Sequence, residues 1–529
     1  MAQKKSKVHK LTGGLNLVAS AHEVKPGEAL TALNYELDVE GTYTRIEGYE
    51  RFDGQPSPSK FNVESYTDEA DYLAQLRTGT DAARALIQPV PGTGPVRGVV
   101  MFNNVVYAWR DSIAADKLQM YQSTPAGWQE VVTGQNLLPG GRVELVAHNF
   151  LANSSGLKLY GCDGVNPAFE FDGTSYTQII SPVTGKEPFH MAVFSDHLFS
   201  AYRGGALFCS ALKTPTSFEA TNGATQWGLS GEITGLSEQP GGALAILCKN
   251  RVELIYGNNK DDFQKNVYSP DTGAKEWTAQ VLGEGLYLDD RGVGQLSRSQ
   301  AFGNFDYASI SKNIRPTLKL FINESVGSLL VRGKNQYRLF FENGEGLIAT
   351  FNELGLIGWT NFSYPELGAC FYSSEDNMGF ERSFMGTQAG YVMELDQGRS
   401  FDGLAIQTIF RPVFMHQGAA DRYKHYFSLM LESSAEDVAD IQVRPDFDFS
   451  TEEIPLENIT RTVLGSGGYY DSDRWDLIRY GVPIVNRQPM PMTGDGTSVS
   501  CLIVSESDFQ LPHTLQSLTI RYKYLGRVI

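Results

Sequence analysis

The sequence predicts a mainly β chain: a β-propeller of about seven blades, with an additional β-sandwich-like platform domain and a short helical segment. Composition is the first observation behind this. The chain has 529 residues, 41% hydrophobic and 20% charged, with 54 glycines and 25 tyrosines. That is globular, long enough for more than one core, and suited to many short strands joined by turns. The second observation is a repeat. Hairpins of apolar, alternating strands recur from Val96 to about Gly403. Anchored on Val99, Leu145, Met191, Ile233, Leu296, Leu329 and Cys370, their steps are 46, 46, 42, 63, 33 and 41 residues. The two odd steps together span 96, so the period sits near the roughly 40–50 residues of a four-stranded blade. Third, several units share a second half. An aromatic near a strand end (Tyr121, Phe171, Phe351) precedes a glycine-containing turn, and another aromatic (Trp128, Tyr176, Trp359) opens the next strand. One blade cannot bury both its faces, whereas a ring of blades can. The competing reading is a two-sheet sandwich with a chance period.

Along the chain, residues 1–62 form an N-terminal arm and strands. The arm carries Lys4, Lys5, Lys7 and Lys10, and is either a loose solubilising terminus or a docking arm for an acidic neighbour. Residues 11–54 are strand-and-turn material, expected to pair into the C-terminal domain because chain ends often meet. Residues 63–95 are a short helical segment and linker. Thr67 and Asp68 can cap one helix and Thr80 a second from Asp81, with Pro89 and Pro91 as stops. Residues 96–403 are the propeller, with hairpin turns at Asn103-Asn104 and Ser195-Asp196. Residues 404–529 form the platform, interrupted by an acidic stretch. Between Glu432 and Glu457 stand nine carboxylates and one basic residue, Arg444.

Chemistry-bearing patterns are sparse. No phosphate-cradling glycine loop and no serine nucleophile elbow is present. His190 and His197 flank a hairpin turn and are expected to approach each other across it, but no further ligands converge on them. Asp446, Asp448, Ser450, Glu452 and Glu457 occupy positions 1, 3, 5, 7 and 12 of a calcium-loop template. Thr451 stands where that template needs glycine, so a plain acidic loop is the alternative. Asp289, Asp290 and Arg291 could serve a glycan-binding or glycan-hydrolysing propeller, or form an ordinary turn. No catalytic set and no cofactor is expected. The cysteines (Cys162, Cys209, Cys248, Cys370, Cys501) are widely spaced and read as buried free thiols. The formal charge of −17 argues against gripping nucleic acid, because binding needs phosphate neutralisation. It permits passage, because an acidic wall repels phosphate. No stretch has signal-peptide or membrane-span character, so no membrane insertion is expected.

Residues 14–54 carry an ordered set of short motifs: Gly14-Leu15-Asn16-Leu17-Val18, Lys25-Pro26-Gly27-Glu28-Ala29, Asn34-Tyr35-Glu36, and Gly41 through Gly54. With Pro95 to Val99, this set resembles the opening of tail nozzle, or tail tubular, proteins of short-tailed bacteriophages, which are β-propeller proteins. The resemblance lies in residues 14–54 and 95–132. It implies a structural virion protein, not an enzyme. Six copies would form a ring below the portal and adaptor proteins, with tail fibres or spikes attached outside. Viral double-stranded DNA would pass down the shared axis during ejection without specific binding. The location implied is the virion tail, after assembly in the host cytoplasm. A baseplate or fibre adaptor of the same fold is a further alternative.

Overall fold

The computed structural model describes residues 4–19, 24–153, 156–298, 305–435, 439–448, 459–463 and 486–527. Seven four-stranded antiparallel blades follow one another at 93–131, 144–178, 190–228, 233–269, 280–309, 325–363 and 368–395. The last blade takes its fourth strand from the other end of the chain. Tyr49–Phe52 pairs antiparallel with Val392–Leu395, running from Tyr49↔Leu395 to Phe52↔Val392. The ring is therefore closed by an N-terminal strand.

The blade sequences explain the packing. Successive strand residues point to opposite faces, and in a propeller both faces are covered. In Thr93–Phe102, Val99 and Met101 pack toward the seventh blade with Cys370 and Phe384. Val100 and Phe102 pack toward the second blade with Leu159 and Phe169. This is why the strand reads as a near-continuous apolar run. Each of the seven seams between neighbouring blades has its own buried cluster. All five cysteines lie buried as free thiols in these cores.

Local expectations held where turn chemistry was explicit. Asn103-Asn104 and Ser195-Asp196 all have positive φ, as a two-residue hairpin with primed turn geometry demands. The aromatics Tyr121, Phe171 and Phe351 sit on third strands, and Trp128, Tyr176 and Trp359 on fourth strands. One anchor was misplaced. Leu296 lies on the third strand of blade five, whose first strand is only Gln280–Leu282. With Val281 as anchor the odd steps become 48 and 48. The three-residue first strand is too short to show alternation, and the apolar run that carries the pattern in this blade lies on later strands. The two expected helices are one, α1 (Glu69–Leu86), capped by Asp68 accepting from the Asp71 N–H. Thr80 is no cap: its hydroxyl donates to the Leu76 carbonyl, as Thr78 donates to Ala74, so the helix runs on.

The platform is a sandwich of two sheets. One extends blade six: its outer strand Gly355–Ser363 is followed by Ala29–Leu33, Ile406–Pro412, Val499–Ser507, Ala439–Phe447 and Ile459–Val463. The other contains Tyr35–Leu37, Tyr43–Arg45, His513–Arg527, Arg422–Ala435 and Asn486–Gly496. Their facing sides, with Ile441, Val443 and Ile503 against Leu429, Leu518 and Ile520, share one core with blades five and six. The division at 403/404 thus separates strands that a common sheet joins, and residues 1–62 are distributed between platform and propeller. The N-terminal lysines are not a loose arm. Lys5–Lys10 is a strand on His513–Arg527, and Lys4 and Lys5 lie over the Phe427 and Tyr524 rings.

The motif residues of 14–54 work at the joints. Gly14 lies against the Trp359 backbone, where an added Cβ would come within 2.6 Å of the Trp359 nitrogen. Gly54 is pressed on Thr124 of blade one, 2.4 Å from its carbonyl oxygen by the same measure. Both have positive φ, so a side chain meets strain as well as clash. The Asn34 side chain donates to the Gln407 carbonyl and accepts from the Ser363 N–H, stitching blade six to the platform. Glu36 enters a buried ionic cluster. Lys334 Nζ lies 2.9 Å from Glu36, 3.0 Å from Glu47 and 3.1 Å from Asp396. Arg338, 1% exposed, lies 3.0 Å from Asp396. Burial opposes the Asp396 charge, but Arg338 and Lys334 outweigh it and hold the carboxyl well below the usual carboxylate range. On the closure strand, burial pushes Glu50 up to about 7, against the pull of Arg84 and the hydrogen bond from the Ser59 N–H.

Two outcomes follow. Asp396→Asn leaves Arg338 and Lys334 short of a buried counter-charge and costs about 3 kcal/mol at neutral pH, read from chemical melts. Because the folded pKa is depressed, this contribution is present above the unfolded value and lost on acidification. The difference from wild type therefore closes as pH falls below about 4. Glu50 has the opposite sign: a raised folded pKa means stability present at low pH and lost as pH rises toward 7. Glu50→Gln accordingly raises the melting temperature at pH 8, by about 1 kcal/mol of stability, and changes little at pH 4.

Candidate functional site on the propeller axis

The first strands of the blades surround the axis. A cavity of about 330 Å³ is lined by one or more residues from every blade: Val99, Leu145, His190, Leu236, Gln280, Leu329 and Cys370. A second cavity of about 780 Å³ opens on the side of Pro95, Glu342 and Gln388. Arg142 and Trp277 line both. The axis is therefore a partitioned channel with small-molecule volumes, far too narrow for a double helix.

Arg142 and Trp277 come from the connections that precede blades two and five. The Arg142 guanidinium carbon stands 4.2 Å from the Trp277 ring centroid, a cation–π contact. Its Nη1 donates to the Val326 carbonyl at 2.7 Å. Among the described residues no carboxylate lies within ion-pair distance of it. Glu144 is engaged by His190, and Glu276 by Arg203. Burial lowers the Arg142 pKa to about 10, offset only in part by Cys370, Glu144 and Glu276. Trp277 has φ of 65°, rare for a bulky residue, and its carbonyl accepts from the Ser328 N–H at 2.9 Å. The His190 ring lies 5.0 Å from the Trp277 ring, centroid to centroid. Its Nδ1 faces Glu144, while Nε2 is buried with no hydrogen-bond partner among the described residues. Thr234 Oγ1, also on this cavity, is likewise buried and unpartnered.

The residues singled out from sequence scatter. His190 and His197 do not face each other. His190 stands opposite Ala201, at the far end of the hairpin from its turn, and His197 is opposite Phe194. His197 Nδ1 donates to the Ser210 carbonyl instead. Asp289 is buried and folds back on its own turn, accepting from the Arg291 N–H and guanidinium. Asp290 is exposed and turns to Lys275. The two carboxylates thus have separate structural partners. Of the calcium template, Asp446 is paired with Arg411 and Arg444. Asp448 accepts from the Thr497 and Ser498 N–H groups. Ser450, Glu452 and Glu457 lie outside the described residues. Sequence reasoning missed Arg142, Glu144, Thr234 and Trp277. Only aligning the blades, so that polar residues at the axial position stand out from apolar ones, would have found them.

No family model matches the sequence, and no curated protein does. Among solved structures, similarity extends to BBS1N in complex with ARL6DN (8% identity, TM-score 0.39, 58% of this chain and 93% of that one). It extends also to YCF48 bound to D1 peptide (10%, TM-score 0.39, 58% and 95%) and to the computationally designed Ika8 protein (10%, TM-score 0.35, 59% and 98%). At these scores the likeness carries no argument beyond the sheets themselves. Those sheets form a seven-bladed propeller fused to a β-sandwich platform.

The burial difference between the adjacent aspartates gives an expected outcome. Asp289→Ala removes the acceptor of a buried turn and costs about 1–2 kcal/mol in a chemical melt. Asp290→Ala stays within about 0.5 kcal/mol of wild type.

Proposed function

We propose that this chain is a structural tail protein of a short-tailed bacteriophage. In this reading it forms a nozzle ring of six copies that guides viral DNA. The observation that carries the reading is the ordered motif set in residues 14–54. Its members resemble the opening of nozzle proteins, and here they sit where the architecture is decided. Gly14, Asn34 and Glu36 join platform to propeller, and Tyr49 to Gly54 close the ring. A resemblance at such positions is one of architecture and not of surface composition. The net charge of −17 suits a wall that must not retain DNA. The partitioned axis of the single propeller means that any DNA path runs between copies, on their common symmetry axis. Portal and adaptor proteins would sit above such a ring and fibres or spikes outside it.

Electron microscopy and mass photometry of the purified full-length chain test this. The expected result is a closed, six-fold ring with an acidic central bore, and the same protein in virions. A strictly monomeric chain at high concentration that is also absent from virions overturns it.

A further inference from the structure

The axial cavity holds groups that the fold alone does not account for. Arg142, partly exposed, is a cation without an ion-pair partner among the described residues. Its Nη1 donates to the Val326 carbonyl, and among the described residues its side chain makes no other hydrogen bond. His190 and Thr234 are 1% and 2% exposed, and each has an unpartnered polar atom. Buried polar groups in folded proteins are satisfied with few exceptions, and each exception calls for an explanation. All three line one cavity of about 330 Å³, whose wall includes the Trp277 ring. That ring bears the Arg142 contact at 4.2 Å and the His190 contact at 5.0 Å. Its backbone is held in a conformation that bulky residues rarely adopt.

We infer that this cavity is a binding site for a small anion that also carries hydroxyl groups, such as a phosphorylated polyol. The chemistry assigns the parts. A guanidinium fork matches phosphate or carboxylate geometry, and the ligand's anionic group supplies the counter-charge that Arg142 lacks. Glu144 accepts from the His190 Nδ1–H, which leaves the unpartnered Nε2 to meet a ligand hydroxyl. The Thr234 hydroxyl can donate or accept. The indole offers an apolar wall to the carbon skeleton. The same cavity is a poor fit for a cation, because the Arg142 and Arg332 side chains both line it. It is a poor fit for a plain hydrocarbon, which would leave the buried His190 and Thr234 polar atoms unsatisfied. This site belongs to the single propeller and does not rest on ring assembly.

The test is a titration of the purified full-length chain with glycerol 3-phosphate, followed by calorimetry and tryptophan fluorescence. Inorganic phosphate and glycerol are the comparison ligands. The expected result is saturable binding of glycerol 3-phosphate, weaker binding of phosphate, and none of glycerol. Arg142→Gln weakens binding about ten-fold or more, and Arg142→Lys, which keeps the charge, by less. Thr234→Val, nearly isosteric, weakens it about three-fold or more and serves if Arg142→Gln fails to fold. Trp277→Phe, which thins the apolar wall, abolishes the fluorescence response. No saturable signal in the wild type by either method means that water alone fills the cavity, and overturns the inference. So does unchanged affinity in a folded Arg142→Gln or Thr234→Val variant. Phosphate binding as tightly as glycerol 3-phosphate removes the hydroxyl assignment of His190.

Discussion

The pairing of Tyr49–Phe52 with Val392–Leu395 is the constraint on which the rest depends. Six blades are continuous in sequence, but the seventh has only three strands of its own. Without the fourth, its outer edge and one side of the seam to blade one would stand open. A strand arriving from more than 300 residues away must order a long intervening chain before any contact rewards it. The surrounding interactions are correspondingly dense. Lys334 and Arg338 on blade six, Asp396 beside blade seven, and Glu36 and Glu47 from the N-terminal segment meet in one buried ionic cluster. Such clusters are costly to desolvate and more costly to break. The cluster ties the N-terminal segment to blades six and seven, since without that segment Lys334 would lose Glu36 and Glu47 and Arg338 would lose Glu36.

The same segment makes propeller and platform one body. Ala29–Leu33 runs beside the outer strand of blade six and passes the sheet on to Ile406–Pro412. Buried cations recur in the platform, satisfied by a different route. Arg45 donates to the Gln510, Arg399 and Ser507 carbonyls. Lys424, fully buried, donates to those of Ala419, Arg422 and Thr497. Carbonyl dipoles in place of carboxylates give each cation directed contacts without a second buried charge. Arg142 on the axis, partly exposed, has one carbonyl and an aromatic face. What marks the axial cavity as a site is the buried, unpartnered Nε2 of His190 and Oγ1 of Thr234 beside it. Edges are managed as well. Pro489 and Pro491, two residues apart on the edge strand Asn486–Gly496, withhold backbone donors from any added strand.

How much could be read from sequence follows from which signals are local. Period-two alternation, Asn103-Asn104 and Ser195-Asp196 at hairpin turns, and the aromatic pairs of third and fourth strands are set by residues a few positions apart. These were legible. Blade five was blurred because its first strand is three residues long. The helix was split in two because Thr80 looks like a cap in sequence, yet satisfies its hydroxyl inside the helix. Among the candidate functional residues, His190 was noted for a partner it does not have, His197. The groups it meets, Glu144 at the start of blade two and Trp277 in the connection before blade five, are 46 and 87 residues away.

By itself the sequence determined the class and the module: a β chain whose hairpins repeat at a blade-sized interval, because burial on two faces writes its pattern locally into every strand. Tertiary structure alone decided three things. These are which strand completes the seventh blade, that one sheet runs from propeller into platform, and that a cation, an imidazole, a hydroxyl and an indole from separate blades and connections meet on the axis. Each is a contact between residues far apart in the chain. Its energy comes from burial and charge pairing that exist only once the ring has closed, and so it leaves no periodic trace in the order of the amino acids.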